Sequence, residues 1–213
     1  MNKRILLLLA LLVPLLSGCF GAVAVGTGVA VLSYADRRPT ETQVADEGIE
    51  LRAANRISEK FGSNTHVNVT SYNRTVLLTG EAPDEAAKAE VEKIVAGVPN
   101  VKSIVNELKI AGASSLASRS NDAYLTSKVK ARFIDAGQFA ANHVKVVTEA
   151  GVVYLMGLVT DREAKAAVEI ARTTGGVQKV VRVFEIISEA EAQRLSGSGQ
   201  NTSGAKPEAA GAK

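Results

Sequence analysis

Few side chains in this sequence can carry chemistry. The single cysteine, Cys19, closes the string Leu16-Ser17-Gly18-Cys19. Two small residues stand ahead of it, and its thiol is a nucleophile open to covalent modification. The two histidines, His66 and His143, hold equivalent positions 77 residues apart. Neither has a second ligand at metal-site spacing, so both read as residues at a helix–strand corner, and no metal site is expected. Tyr124, Lys128 and Arg132 recur every four residues, with Lys130 elsewhere on the same segment. An aromatic ring with a polar tip suits a bilayer interface, and the cations attract anionic headgroups. The sequence contains no Gly-x-Ser-x-Gly and no His-Glu-x-x-His, and Gly26-Thr27-Gly28 lacks the Lys-Ser/Thr pair of a phosphate loop. No catalytic residue is assigned.

The surrounding composition narrows the classes further. The chain has 213 residues, 46% apolar and 22% charged, which suits globular structure in one large or two small domains. Its formal charge is +3, but removing Lys3 and Arg4 with a signal segment leaves 23 basic against 22 acidic residues. Bulk charge therefore does not favour nucleic acid as a partner. Lys3 and Arg4 precede a twelve-residue apolar run, residues 5–16, too short for the roughly 20 residues of a membrane span. Residues 1–18 form a signal peptide, and the string ending at Cys19 resembles the bacterial lipobox. That resemblance implies cleavage before Cys19 and acylation of its sulfur and its new amino group, with no other cofactor. Phe20, where an Asp favours inner-membrane retention in enterobacterial lipoproteins, points to the outer membrane. Residues 19–45 are expected to form a lipidated, flexible tether; as a coil, residues 20–45 span roughly 28 Å.

The rest of the chain is a repeat. Thr75-Val76-Leu77-Leu78-Thr79-Gly80 matches Val152-Val153-Tyr154-Leu155-Met156-Gly157 at an offset of 77. Asp84, Ala87 and Lys88 match Asp161, Ala164 and Lys165 at the same offset. Upstream, Ile49, Ala53 and Ile57 match Leu125, Val129 and Phe133 at an offset of 76. Each copy opens with apolar residues four apart, one face of a helix. Two strands follow, joined by short turns at Asn73-Arg74 and Ala150-Gly151. A second helix begins near Pro83 in copy one and at a Thr160–Glu163 capping box in copy two. A Val/Ile-rich strand closes each copy, at 101–110 and 177–187. The order α-β-β-α-β occupies residues 46–112 and 120–189, with a linker at 113–119. Residues 190–213 read as a brief helix and a disordered tail.

This pattern resembles the BON family. The resemblance covers both repeats and is stronger in copy two, through Ser120-Asn121-Asp122-Ala123-Tyr124-Leu125 and Gly157-Leu158-Val159-Thr160-Asp161-Arg162-Glu163. With the lipobox it is similar to outer-membrane lipoproteins carrying two BON domains. It implies an α+β fold: two tandem domains, each a small three-stranded mixed sheet with two helices on one face. It also implies association with phospholipid membranes and envelope integrity, without catalysis.

The expectation is a non-enzymatic lipoprotein anchored in the outer membrane, facing the periplasm, with anionic phospholipid as partner and no small-molecule substrate. Its phospholipid-binding residues are expected on the first helix of copy two: Tyr124, Leu125, Lys128, Lys130, Arg132 and Phe133. Leu125, Val129 and Phe133 should also face the sheet. Copy one has Gly48, Arg52 and Arg56 in place of Tyr124, Lys128 and Arg132, so membrane contact should belong mainly to copy two. The second expectation is a periplasmic interaction module that recruits envelope assembly proteins through its sheet faces or last strands.

Overall fold

A computed structural model describes residues 36–62 and 65–198. Cys19, the signal segment and residues 199–213 lie outside the described residues. Domain 1 runs α1 (Thr40–Phe61), β1 (His66–Tyr72), β2 (Thr75–Ala82), α2 (Glu85–Ala96), β3 (Ser103–Asn106) and β4 (Lys109–Ile110). Domain 2 runs α3 (Leu116–Ala136), a 3-10 turn (Ala141–His143), β5 (Lys145–Glu149), β6 (Val152–Val159), α4 (Asp161–Arg172) and β7 (Lys179–Ile186), followed by α5 (Glu189–Ser198). In each domain a hairpin pairs the first two strands antiparallel, and the last strand joins the central one in parallel. The expected α+β architecture is present in both copies.

The element limits differ from the sequence reading at three places. α1 begins at Thr40, so residues 40–45 belong to the folded body and not to a tether. α3 begins at Leu116, where Ser115 accepts a hydrogen bond from the Ser118 N–H, so the connection between domains is shorter than 113–119. Pro83 precedes α2, whose cap is Asp84, accepting from the Ala87 N–H.

Each leading helix buries the residues its periodicity marks. Ile49, Ala53 and Ile57 of α1 pack on Val76 and Leu78 of β2. Val129 and Phe133 of α3 pack on Val153 and Leu155 of β6. Strand alternation sends Leu77, Tyr154, Met156 and Leu158 to the opposite sheet faces. There they meet one another, with Tyr72 and Val152, in a third core between the domains. The two described domains therefore stack in four layers: helices, sheet, sheet, helices. All eight residues of β6 are buried, as expected of a strand covered on both faces.

One buried aspartate in each domain fastens the leading helix to the hairpin. Asp46 of α1 accepts from the backbone N–H groups of Asn73 and Arg74 at 2.8 and 2.7 Å. Asp122 of α3 accepts from those of Ala150 and Gly151, both at 2.9 Å. All four turn residues have positive φ, between 48° and 73°, the geometry of a tight primed hairpin turn. Arg74 and Ala150 pay a steric penalty there that glycine avoids, and the carboxylate holds them in place. Gly80 has φ +108°, and a Cβ on it would lie 2.0 Å from the His66 carbonyl oxygen. At Gly157 the φ is ordinary, and close approach is the constraint: a Cβ would lie 2.3 Å from the His143 carbonyl oxygen.

Replacing Asp122 by Ala leaves two turn N–H groups without their charged acceptor. The expected loss is about 3 kcal/mol of folding stability, read from urea unfolding, with Asp122→Asn losing less because it keeps one acceptor oxygen.

Candidate functional site

The leading helix of domain 2 divides the predicted lipid residues among three environments. Leu125 and Phe133 are 3% and 0% exposed. They hold the helix to its sheet and are not available to a membrane surface. Lys128 and Arg132 are half-buried and point along the protein. Lys128 donates to the Gly175 carbonyl at 2.9 Å, and Arg132 donates to the Ile170 carbonyl and to the Thr173 and Thr174 hydroxyls. Both cations thus sit at the C-terminal end of α4, where a helix presents unpaired carbonyls and partial negative charge. Tyr124 and Lys130 are exposed, Tyr124 to 63%. The Lys128 ammonium lies 5.9 Å from the Tyr124 ring centre.

The outward face carries two residues that the sequence reading passed over. Leu116 and Ile134 are 80% and 69% exposed. Residues 116, 120, 127, 131 and 134 share one side of a 3.6-residue helix, with Tyr124 on one flank and Lys130 on the other. The signal was available, since Ile134 directly follows the core residue Phe133 and has no place on the buried face. Beyond the helix end, Ile134, Gly137, Phe139, Ala140 and Ala141 line an apolar cavity of about 420 Å³. Phe139 makes an edge contact with Phe133 at 5.0 Å between ring centres.

A second cluster lies where the chain enters the folded body. Arg37, 6% exposed, makes a two-pronged pair with Glu163 at 2.6 and 2.9 Å and donates to the Leu158 carbonyl. Arg38 pairs with Asp36 and with Asp46, and stacks 4.0 Å over the Tyr72 ring. Consecutive arginines therefore bind domain 2 and domain 1. Burial pushes the Tyr72 hydroxyl up to about 12, assisted by Asp36. Glu163 also closes the Thr160 capping box. Its burial favours the neutral acid, but the Arg37 hydrogen bonds and the Thr160 N–H outweigh that and hold the carboxyl below its usual range. His143 is buried, its Nδ1 3.7 Å from Glu163 and beyond hydrogen-bond distance. Burial, then the Arg37 charge, hold its imidazole below the ordinary value.

The two histidines do not meet. His66 bonds Glu81 at 2.8 Å, while His143 faces Glu163. His66, Glu81 and Glu149 bring three ligand-type atoms within 4.8 Å of one another.

With this geometry in hand, the BON domain pattern matches residues 46–112 and 121–188. The chain belongs to the BON family. It is 37% identical over 174 residues to the outer membrane lipoprotein DolP of Haemophilus influenzae, covering 81% of this chain and 90% of that one. It is 34% identical over 154 residues to a 21 kDa hemolysin of Actinobacillus pleuropneumoniae, covering 71% and 79%. A solved structure of CdsD, a structural protein of the type III secretion system of Chlamydia trachomatis, is 16% identical and spans 70% of this chain and 95% of that one. Its TM-score is 0.28, too low to bear on this BON chain.

A histidine whose folded pKa lies below its ordinary 6.5 takes its proton more readily in the unfolded chain. Its stabilising contribution is full above that value and is lost as pH falls below it. Glu163, held below its ordinary 4.5, contributes above that value and loses its contribution as pH falls through its own lowered one. The thermal midpoint should therefore fall between about pH 7.5 and about pH 5.5, and His143→Gln should fall less over the same interval.

Proposed function

We propose that this chain is an outer-membrane lipoprotein, anchored by acyl chains on Cys19 and facing the periplasm, that lays the outward face of α3 on anionic phospholipid. Its similarity to the outer membrane lipoprotein DolP of Haemophilus influenzae supports the compartment. The observation that carries the lipid reading is the convergence of exposed Leu116, Tyr124 and Ile134 on one helix face, beside Lys130. Scattered exposed apolar residues are ordinary; large ones spaced along one face of a single helix can meet a flat interface together. The apolar cavity beyond Ile134 extends that face.

The magnitudes assign separate tasks to anchor and helix. A surface cation contributes about 1 kcal/mol near an anionic bilayer. Partial insertion of Leu116, Tyr124 and Ile134 adds about 1 kcal/mol each. Acyl chains contribute about 0.8 kcal/mol per buried methylene, and more than one chain anchors stably. The acyl groups hold the protein down, and α3 sets which side meets the lipid. In domain 1, Val44 and Leu51 of α1 are 63% and 64% exposed, but they lie on the opposite outer layer, whose one aromatic residue, Phe61, packs against the core. A flat bilayer meets one of these layers at a time, and Tyr124 favours α3.

A reading in which the sheet faces recruit envelope proteins has less surface to draw on, since the central strands of both sheets are buried between helices and the opposite sheet. Strand addition at the β3–β4 or β7 edge remains as its physical form, next to exposed Ile110 and Ile186. The proposal assigns the chain no catalytic step.

A fragment from Asp36 onward, without the lipid, should show backbone amide NMR shifts confined to residues 116–141 with anionic vesicles or micelles, weakening with salt. The combined variant Leu116→Ser, Tyr124→Ala, Ile134→Ser should bind about 100-fold more weakly while keeping its circular dichroism spectrum. Undiminished binding by that variant, or shifts centred on the β3 and β7 edges, would overturn the lipid surface.

A further inference from the structure

The geometry points to a divalent-cation site between the two domains, held by His66, Glu81 and Glu149, for a first-row ion of the zinc class. The site does not depend on the lipid reading. His66 and Glu81 stand directly opposite each other in the β1–β2 register, on the face turned toward domain 2. Glu149 ends β5, and alternation from the core residue Val146 turns it toward domain 1. The three ligand-type atoms lie within 4.8 Å of one another. Donors bound at about 2.1 Å around a tetrahedral ion lie about 3.4 Å apart, so closing this set needs shifts under about 1 Å per side chain. The 2.8 Å between His66 Nδ1 and Glu81 Oε2 already approaches that of neighbouring ligands.

Charge points the same way. Glu81 and Glu149 are 6% and 5% exposed. Among the described residues, Glu81 has His66 as its ion-pair partner, and Glu149 accepts from the neutral Asn68 amide at 2.8 Å. Two buried carboxylates side by side repel and are poorly solvated; a dication between them relieves both effects. A separate observation falls on the same face. Thr79 stands opposite Asn68 and two residues from Glu81, is 1% exposed, and its hydroxyl has no hydrogen-bond partner. Such an orphaned oxygen calls for a water or an ion beside it. Around the ligands, Asn68 holds Glu149 and the Ser114 N–H holds Glu81 at 3.1 Å, as outer partners that orient ligating groups. A cavity of about 350 Å³, lined in part by His66, Asn68, Arg119, Thr126 and Glu149, reaches the cluster.

One imidazole with two carboxylates suits zinc and its neighbours better than calcium, which takes six to eight oxygens. Because the ligands come from both domains, the ion would tie domain 1 to domain 2. Histidine spacing alone gave no sign of this, because Glu81 reaches His66 through strand pairing and Glu149 comes from the other repeat.

The test uses the full-length chain in detergent, carrying Cys19→Ser so that no thiol competes, stripped with chelator and titrated with zinc alone by calorimetry near neutral pH. One saturable site is expected, with a thermal midpoint that rises with zinc. Glu149→Gln, which keeps side-chain shape and the bond to Asn68, and His66→Ala should each weaken zinc by more than about 100-fold. His143→Ala should retain wild-type affinity. No saturable uptake by the wild type, or wild-type affinity in Glu149→Gln, would overturn the site. The Glu149→Gln result decides the matter even where His66→Ala does not fold.

Discussion

A three-stranded sheet with two helices on one face leaves its other face bare. In this chain both bare faces carry large apolar residues, Leu77 and Tyr72 on one and Tyr154, Met156 and Leu158 on the other. Neither domain can leave that surface in water without cost, at roughly 1.5–3 kcal/mol for each large side chain. Packing the two sheets together resolves both exposures at once. Most other features follow from that seam: the burial of β6 on both faces, the placing of α1 and α3 on opposite outer layers, and the meeting of polar groups from both repeats at the seam's rim.

The rim differs in character from the centre. Lys145 reaches Glu50 and the Ser71 carbonyl across the domain boundary, Asn73 donates to Glu185, and Asn68 donates to Glu149. An apolar centre with hydrogen-bonded edges sets the register of one sheet on the other, because sliding would strand these groups. Tyr154 shows the crowding of acids there: burial, then Glu107 and Glu149, push its hydroxyl up to about 12. The repeat is therefore not symmetric in use. On the seam side β2 presents Leu77 together with Thr79 and Glu81, whereas β6 presents Tyr154, Met156 and Leu158, so equivalent strands of the two copies carry different surfaces into the same seam.

How much of this was legible depended on sequence distance. Helix faces, hairpin turns and the Thr160 capping box were readable because each rests on residues within a few positions of one another. The core assignment of Leu125, Val129 and Phe133 followed from spacing of four, and the structure bears it out. The same spacing did not reveal that Lys128 and Arg132 bond the end of α4. A helical stripe identifies a face but not what stands beside it, and here α4 ends against that stripe. Asp46 and Asp122 lie 76 residues apart, the offset of the leading helices, but nothing in the sequence singled them out, and their grip on the hairpin turns needed the fold. The seam had one local sign, the unbroken apolar run of β6, which an alternating half-exposed strand would not show. Nothing local could supply the meeting of Glu149 with His66, whose residues lie in different repeats.

The paired arginines at the entrance to the folded body have a mechanical consequence. Tension arriving along the chain at Asp36 divides at successive residues. Arg37 passes it through Glu163 to the capped start of α4 in domain 2, and Arg38 passes it through Asp46 to the first hairpin of domain 1. Both load paths run through buried or half-buried ion pairs, and neither enters the body at a strand edge. A pull on this end is therefore shared between the two domains before it reaches either sheet.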